Sequence, residues 1–447
     1  MLLHPGSSRQ PHLADDSAVL QALLDVEAAW VRVQARLGLV DEQIVAMVGR
    51  HADAAGYDLA ELDLGVEAGA NPVIPMLAAL RSALSGQTQA AGAVHRGLTS
   101  QDVLDSALML LARRSLEVVD DRLEAAAEAT ARLADTHRAT LLTARTLSQP
   151  ALPTTFGAKA AGWLAALDEA RAELLGVAAR LPVQCGGAAG TLAAIDELAP
   201  GRALEAADLL ADQLGLASPG RPWHTDRTPV THLGDALARA GDVLGKIAGD
   251  IVLMSRPEIG ELSEPALEGR GGSSTLPQKR NPVLSILVRS AAIEAPHLAA
   301  ALHCAAALAS DERPDGGWHA EWRPLAALLA SVPVAAAQLA EVLAGLEVHR
   351  DSMLRNVETA GPALLAERLL RAVPTLPGGA DLTEKLRSAL RTGATGEEVR
   401  SVLRAGLPTD GPHSVPDTTI EDLLNPAAYL GVVGDLVDRA LEHHATT

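Results

Sequence analysis

The segment richest in reactive groups runs from residue 268 to 282 and reads EGRGGSSTLPQKRNP. Its glycines predict a mobile loop, and Pro282 is typical of the first residue of a helix. The donors and cations of this segment are Ser273, Ser274, Lys279, Arg280 and Asn281. Positive charge ahead of a helix N-terminus suits a multiply charged anion. The order G-x-x-x-x-G-K-[ST] is absent, so a phosphate-cradling loop is not indicated.

A second segment, residues 95–102, reads HRGLTSQD and precedes a long apolar pattern. Thr99, Ser100 and Asp102 are residue types that cap helices, and the exposed amides of a helix start attract a carboxylate. A capped helix start would by itself explain these residues. The alternative is a binding site in which Thr99, Ser100 and Gln101 contact the substrate and His95 transfers a proton.

A third segment, residues 145–150, reads RTLSQP and is interpreted as a polar loop between two bundle helices. Taken alone, Arg145, Thr146 and Gln149 are simply polar residues of a loop. No metal site is indicated, because the sequence contains neither HExxH nor CxxC. Residues 318–322, WHAEW, are expected to pack between helices, with a pocket wall as the alternative.

The composition limits the possible partners. A formal charge of −19 argues against nucleic acid, which binds basic surfaces, and requires any anion site to be built locally. Two cysteines cannot form a disulfide framework, and the N-terminus lacks a secretory signal, so a cytoplasmic location is expected. Two apolar stretches, residues 291–310 and 325–348, are interpreted as buried bundle helices rather than membrane spans.

The chain that positions these segments is predicted to be all-α. Alanine and leucine dominate, whereas the 447 residues include one Phe and two Tyr. A heptad seam predicts a helix over residues 102–138 of about 55 Å. Similar patterns predict helices over residues 157–181, 233–255, 282–310 and 325–346. We expect an N-terminal helical region over 1–95, a central bundle over 96–346 and a C-terminal helical region over 347–447. Such long apolar helices are expected to associate with further copies.

Residues 272–282, GSSTLPQKRNP, resemble the fumarase/aspartase superfamily signature G-S-S-x-M-P-x-K-x-N-P, with Leu276 in the place of Met. Residues 95–102 and 145–149 resemble the T-S-x-D and R-T-x-x-Q segments of that superfamily. This resemblance implies that Arg145, Thr146 and Gln149 bind substrate. Within it, the chain is similar to bacterial 3-carboxy-cis,cis-muconate cycloisomerases. The stretches that carry this similarity are HRGLTSQDVLD (95–105), PWHTDR (222–227), WHAEW (318–322) and LNPAAYLG (424–431).

The resemblance implies a cytoplasmic homotetramer whose active sites are each shared by three subunits. It implies that Ser273 transfers the proton, with Ser274 as the next candidate, and that Lys279 and Asn281 bind substrate carboxylates. The implied substrate is a small polycarboxylate, and no cofactor, nucleic acid or membrane is expected.

One departure is informative, because many superfamily members have His where this sequence has Leu147. Leucine cannot protonate a leaving group, and a carboxylate leaves unprotonated since its acid has a pKa of about 4. We expect an apolar pocket around Leu147 and lactonisation of 3-carboxymuconate in aromatic catabolism. The alternatives are a lyase of a succinyl adduct that releases fumarate, with nitrite or an amine as leaving group, and a non-catalytic structural homologue.

Overall fold

The structure is a computed structural model that describes residues 3–10, 13–272, 275–276 and 278–446. Ser273, Ser274 and Pro277 of the signature lie outside the described residues. The chain divides into two compact units. The first comprises Met1–Glu124, Glu169–Lys246 and Leu287–Leu339, and the second comprises Ala125–Asp168, Ile247–Ile286 and Ala340–Thr447. The expected division into three regions stays a prediction.

Helices dominate both units, which confirms the predicted all-α class. The five longest match the predicted bundle segments: α6 (Ser100–Thr136), α7 (Phe156–Ala178), α10 (Thr228–Met254), α11 (Val283–Ala307) and α12 (Gly317–Ala344). All five contain a boundary between the two units.

The first unit adds seven shorter helices. These are α1 (Asp16–Arg36), α2 (Glu42–Gly49), α3 (Leu59–Gly69), α4 (Val73–Ala83), α5 (Thr88–Ala93), α8 (Ala193–Leu198) and α9 (Ala203–Leu214). The sequence pattern explains α1, whose Asp15 side chain accepts from the Ala18 amide and caps the helix. Its apolar residues, including Trp30, are buried.

The second unit contains the strands and the C-terminal helices. The strands form two antiparallel pairs: β1 (Leu141–Thr146) with β2 (Gln149–Thr155), and β3 (Leu262–Ser263) with β4 (Glu347–Val348). The C-terminal helices are α13 (Arg350–Ala360), α14 (Ala366–Ala372), α15 (Thr383–Arg391), α16 (Gly396–Gly406), α17 (Asp417–Leu423) and α18 (Val433–His444). A separate apolar cluster that includes Leu369, Leu386 and Leu403 holds α14, α15 and α16 together.

The two helices that are long and apolar enough to cross a membrane differ in burial. The most apolar stretch of α12 is 72% buried, whereas that of α11 is 28% buried. The burial of α12 agrees with a core helix. In α11, Ile286 and Ile293 are exposed within one copy of the chain. This helix therefore carries an uncovered apolar face.

Candidate active site

The imidazole of His95 is oriented by a buried carboxylate. Its Nδ1 lies 2.7 Å from Glu27 Oε1, and its backbone amide donates to Glu27 Oε2 at 2.8 Å. Because a carboxylate only accepts, Nδ1 carries the proton and Nε2 is left able to accept one. Glu27 is fully buried on α1, whereas the His95 side chain is 15% exposed. His95 also has a left-handed backbone (φ 63°), an uncommon conformation that surrounding contacts must maintain.

The carboxylate of Asp102 organises the same segment. It accepts from the amides of Thr99 at 3.0 Å, Gly186 at 2.9 Å and Gly187 at 2.9 Å, and from Nε2 of His224 at 2.8 Å. His224 is therefore protonated on Nε2, since its partner cannot donate. Asp102 is fully buried, so it does more than begin a helix: it fixes the loop that carries Thr99.

Gln101 is also buried, and its amide nitrogen donates to Asp105 at 3.2 Å and to the His224 carbonyl at 2.9 Å. These contacts hold it inside the unit, and its predicted contact with substrate stays a prediction. Ser100 begins α6 and is partly exposed.

Beneath this segment lies a buried charge cluster. The Arg227 guanidinium donates to Asp105 at 2.8 and 3.1 Å and to both oxygens of Glu321. The indole nitrogen of Trp318 donates to Asp105 at 2.9 Å, and Trp318 packs edge-on against Trp322 at 4.9 Å. Burial raises the pKa of Glu321 to about 7, against the attraction of Arg227. The WHAEW residues therefore support the start of α6 by packing and by charge.

The segment interpreted as a loop between helices is a β-hairpin, which corrects that prediction. Thr146 pairs with Gln149, and Leu147 and Ser148 form the turn with φ 49° and 68°. Positive φ at both turn residues is the type I′ pattern, which suits the twist of a hairpin. The threonines of this segment favour strands. The sequence did not predict the strands, because Pro150 and Pro153 lie within the pattern and a proline argues against a strand.

The apolar pocket expected around Leu147 is wrong for the chain by itself. Its side chain is 99% exposed at the hairpin tip, and none of its own chain's described residues encloses it. Thr146 and Gln149 are exposed as well. A sequence shows that a residue is apolar, but not whether a turn directs it away from the core.

Arg145, two residues before Leu147, is held by a fully buried acid. Its Nη1 and Nη2 donate to Glu261 Oε2 at 3.0 Å and Oε1 at 2.8 Å. Asn356 donates to the same carboxylate at 2.7 Å. The guanidinium therefore anchors the hairpin beside β3, and its predicted substrate contact stays a prediction.

A cavity of about 420 Å³ lies within the second unit behind the signature loop. Its lining includes Lys279 and Arg280, whose side chains form no ion pair or hydrogen bond with any described residue, and also Ser263 and Glu264. Glu268 lines the same cavity, so acids and cations face it together. The binding of an anion by Lys279 and Arg280 stays a prediction.

Asn281 closes the base of the signature loop. Its amide nitrogen and backbone amide donate to the Gly271 carbonyl at 3.0 and 2.9 Å. Gly271 has φ +69°, and an added Cβ would lie 2.6 Å from the Asn281 carbonyl, so only glycine fits. In this conformation Asn281 holds the loop, and its binding of a carboxylate stays a prediction.

The N-terminus of α11 is already occupied by a side-chain carboxylate. Glu264 Oε1 accepts from the Ser285 amide and hydroxyl, both at 2.6 Å, and Oε2 accepts from the Leu284 amide at 3.3 Å. The helix amides thought to favour an anion are therefore satisfied within the chain. Lys279 and Arg280 remain the groups available to one.

The predicted site residues lie in different units. His95, Thr99, Ser100 and Gln101 belong to the first unit, whereas Arg145, Thr146, Gln149, Lys279 and Asn281 belong to the second. Within the second unit, no hydrogen bond or ion pair between described residues joins the hairpin residues to Lys279 or Asn281. Ser273 and Ser274 lie outside the described residues. No metal-binding group of three or more His, Cys, Asp or Glu occurs among the residues that the structure describes.

The sequence profile of a lyase family matches residues 16–296. The chain is 44% identical to nitrosuccinate lyase of Streptomyces davaonensis, over 95% of this chain and 90% of that protein. It is 40% identical to 3-carboxy-cis,cis-muconate cycloisomerase of Pseudomonas aeruginosa, over 96% and 93%. The chain belongs to the lyase family of the fumarase/aspartase superfamily.

The fold supports the same membership. The crystal structure of the 3-carboxy-cis,cis-muconate lactonizing enzyme of Pseudomonas putida matches with a TM-score of 0.87 and 33% identity, over 97% of this chain and 96% of that one. The protein is thus an enzyme of the fumarase/aspartase superfamily, whose members act on small polycarboxylates. The non-catalytic alternative is not supported.

The sequence did not predict five residues that hold the candidate site segments in place: Glu27, His224, Arg227, Glu261 and Glu264. His224 and Arg227 stand in the PWHTDR stretch, which signalled similarity but not chemistry. The three acids gave no local signal, because each lies far along the chain from the residue that it holds.

Proposed function

We propose that this enzyme interconverts 3-carboxy-cis,cis-muconate and a carboxymuconolactone. The observation that carries the proposal is the hairpin tip, where Leu147 and Ser148 stand and neither side chain is a general acid near neutral pH. A leaving group served by this tip must depart as a stable anion. The similarity to two proteins named for 3-carboxymuconate chemistry, at 40% and 33% identity, supports the carboxylate as that anion.

The reaction balances without a further reactant. A carboxylate oxygen of the substrate adds to a carbon of the double bond, and the electron pair moves to the neighbouring carbon beside another carboxylate. That carbon then takes up a proton, which completes the lactone. In reverse, the proton is removed, the C–O bond breaks and the carboxylate leaves with the electron pair.

The charge that develops on the carboxylate beside the reacting carbon needs nearby cations. Lys279 and Arg280 supply them at the 420 Å³ cavity, where neither is paired with a described residue. Preorganised charge of this kind stabilises an enolate-like intermediate more effectively than water does. Opening of the Asn281–Gly271 contact would release a further amide donor.

The proton is carried by Ser273 in this proposal, as the signature implies. A serine hydroxyl is a weak base, so closure of the loop must desolvate and activate it. His95 is the second proton carrier, because Glu27 holds its ring with Nε2 available. Positioned imidazoles are effective general bases near neutral pH.

A second candidate is the elimination of nitrite from nitrosuccinate to give fumarate. The 44% identity to nitrosuccinate lyase over 95% of the chain favours it. Nitrite also leaves as a stable anion, so the acid-free hairpin tip permits both reactions. Adenylosuccinate-like substrates are disfavoured, because an amine must be protonated as it leaves.

The working assembly in this proposal is a cytoplasmic homotetramer with shared sites. Its support is the exposed apolar face of α11, where Ile286 is 47% and Ile293 is 65% exposed. Arg289, Glu294 and His297 lie along the same helix, and charged groups in a lipid-facing helix are costly. A second copy of the chain is therefore a better cover than a membrane.

The deciding experiment is a spectrophotometric comparison of kcat/KM on 3-carboxymuconate, nitrosuccinate, adenylosuccinate, argininosuccinate and fumarate with ammonia. The proposal expects 3-carboxymuconate to give the highest value. Preference for nitrosuccinate would establish the second candidate instead. Preference for an amine-releasing substrate would overturn the reasoning from Leu147 altogether.

A further inference from the structure

Arg313 is a basic residue that contacts the segment of residues 95–102 and that the predicted site did not include. It lies in the connection between α11 and α12, over residues 308–316. Its Nη1 donates to the Thr99 hydroxyl at 2.8 Å. Thr99 is buried, with its own amide fixed by Asp102, so the hydroxyl that holds the guanidinium belongs to a well-anchored loop.

The guanidinium of Arg313 has no acidic partner among the described residues, although Asp311, Glu312 and Asp315 are close in sequence. Arg145 and Arg227 differ from it, because each forms ion pairs with buried carboxylates. An arginine has five N–H donors in a planar fork, and among the described residues one of them is used, by Thr99. The remaining donors are accessible, because the residue is exposed.

We propose that Arg313, oriented by Thr99, binds a carboxylate of the substrate. A guanidinium fork matches the two oxygens of a carboxylate, and one bond to a fixed hydroxyl reduces the rotamer freedom lost on binding. Thr99, which orients the guanidinium, belongs to the same segment, residues 95–102, as His95, whose ring Glu27 holds. Arg313 thereby determines affinity for polycarboxylates rather than carrying out a chemical step.

This inference rests on the proposed function only in taking a small polycarboxylate as substrate. Both 3-carboxymuconate and nitrosuccinate belong to that class. Arg313 can therefore be tested on whichever of them the wild type converts, and its failure is distinguishable from failure of the cycloisomerase proposal.

The test compares Arg313→Gln and Arg313→Lys with Arg391→Gln, which removes the same charge from an exposed arginine at the end of α15 that has no partner among the described residues. We expect Arg313→Gln to raise KM at least tenfold while kcat changes less than threefold. Arg313→Lys should fall between it and the wild type, because it keeps the charge but loses the fork. Arg391→Gln should match the wild type.

Thr99 supplies a second arm. Thr99→Val removes the hydroxyl and should raise KM by a factor of two to five, whereas Thr99→Ser should restore the wild-type value. If the wild type converts neither substrate, the Kd for propane-1,2,3-tricarboxylate is measured by titration instead. We expect Arg313→Gln to raise this Kd at least tenfold.

The inference is overturned if Arg313→Gln has a KM, or a tricarboxylate Kd, within twofold of that of Arg391→Gln. It is also overturned if Arg313→Gln changes only the mass of the assembly by light scattering. That outcome would mean that Arg313 pairs with an acid of another copy.

Discussion

Arg145 and Glu261 form a two-pronged ion pair, with both terminal nitrogens of the arginine within 3.0 Å of the two carboxylate oxygens. The acid is fully buried and the arginine is 27% exposed. The pair joins β1 of the hairpin to the residue that precedes β3. An arginine that resembled a substrate-binding residue in sequence is thus held by its own chain.

Breaking this pair from the arginine side should be costly. Arg145→Met leaves Glu261 buried without its cation, which is expected to lower the free energy of unfolding by about 3 kcal/mol. Urea denaturation of Arg145→Met, Glu261→Gln and the double variant measures the coupling between the two groups. Arg391→Gln is the control for loss of a surface charge. A coupling energy near zero would show that the pair does not stabilise the hairpin.

The two turn residues of the hairpin, Leu147 and Ser148, are predicted to lower the free energy of unfolding. Leu147 and Ser148 both have left-handed backbones, whereas Asn-Gly is the preferred pair for such a turn. The Leu147→Asn, Ser148→Gly variant should therefore unfold with a free energy about 1 kcal/mol higher, by relief of backbone strain. Thermal unfolding and kcat/KM are measured together. Increased stability with lost activity would identify the tip as functional, and unchanged stability would contradict the strain argument.

The Leu147→His variant tests whether the leaving group needs a general acid at the hairpin tip. Because Leu147 is 99% exposed in the chain, the substitution should change the free energy of unfolding by less than about 0.5 kcal/mol. It should not raise kcat/KM on 3-carboxymuconate, since a departing carboxylate needs no acid, and adenylosuccinate is the comparison substrate. A gain on 3-carboxymuconate would defeat this account of the leucine. The Leu147→His, His95→Ala variant tests whether His95 supplies a proton instead.

The Glu321 cluster predicts a pH dependence of stability. Burial raises the pKa of Glu321 from 4.5 to about 7, so between these values the folded chain binds more protons than the unfolded chain. Stability supplied by the protonated form is therefore present below pH 4.5 and lost as pH rises through 7. Relative to Glu321→Gln, which cannot ionise, the wild type should lose roughly 1–3 kcal/mol between pH 5 and 8. A difference that stays constant with pH would exclude this titration.

Ser273→Ala should lower kcat by several orders of magnitude and leave folding intact, because it removes a proton carrier rather than packing. Ser274→Ala is the matched control, with one hydroxyl removed from the next position. Stopped-flow or steady-state rates on the preferred substrate provide the measurement. Retention of more than a tenth of turnover, a loss below about 1.4 kcal/mol, would point to Ser274 or to another mechanism.

Shared sites predict complementation between inactive chains. Ser273→Ala chains mixed with His95→Ala chains should regain partial activity, since some sites in a mixed tetramer receive both intact residues. Mass spectrometry of differently labelled chains verifies exchange. Verified exchange without any recovery would mean that each site is built from one chain.

The sequence by itself determined the helical class, the five long helices and the superfamily. Helical periodicity and the GSSTLPQKRNP signature are local in the chain, so they survive without knowledge of the fold. The position of Lys279 and Arg280 ahead of α11 is local in the same way, and the anion site that it predicts stays a prediction.

Only the tertiary structure decided which candidate groups are already engaged. Glu261 lies 116 residues from Arg145, Glu27 lies 68 residues from His95, and Arg313 lies 214 residues from Thr99. Hydrogen bonds and ion pairs depend on distances of a few ångströms between atoms, and spacing along a chain does not fix those distances. The exposure of Leu147 was decided in the same way, because a two-residue turn between strands carries its side chain into solvent whatever its polarity.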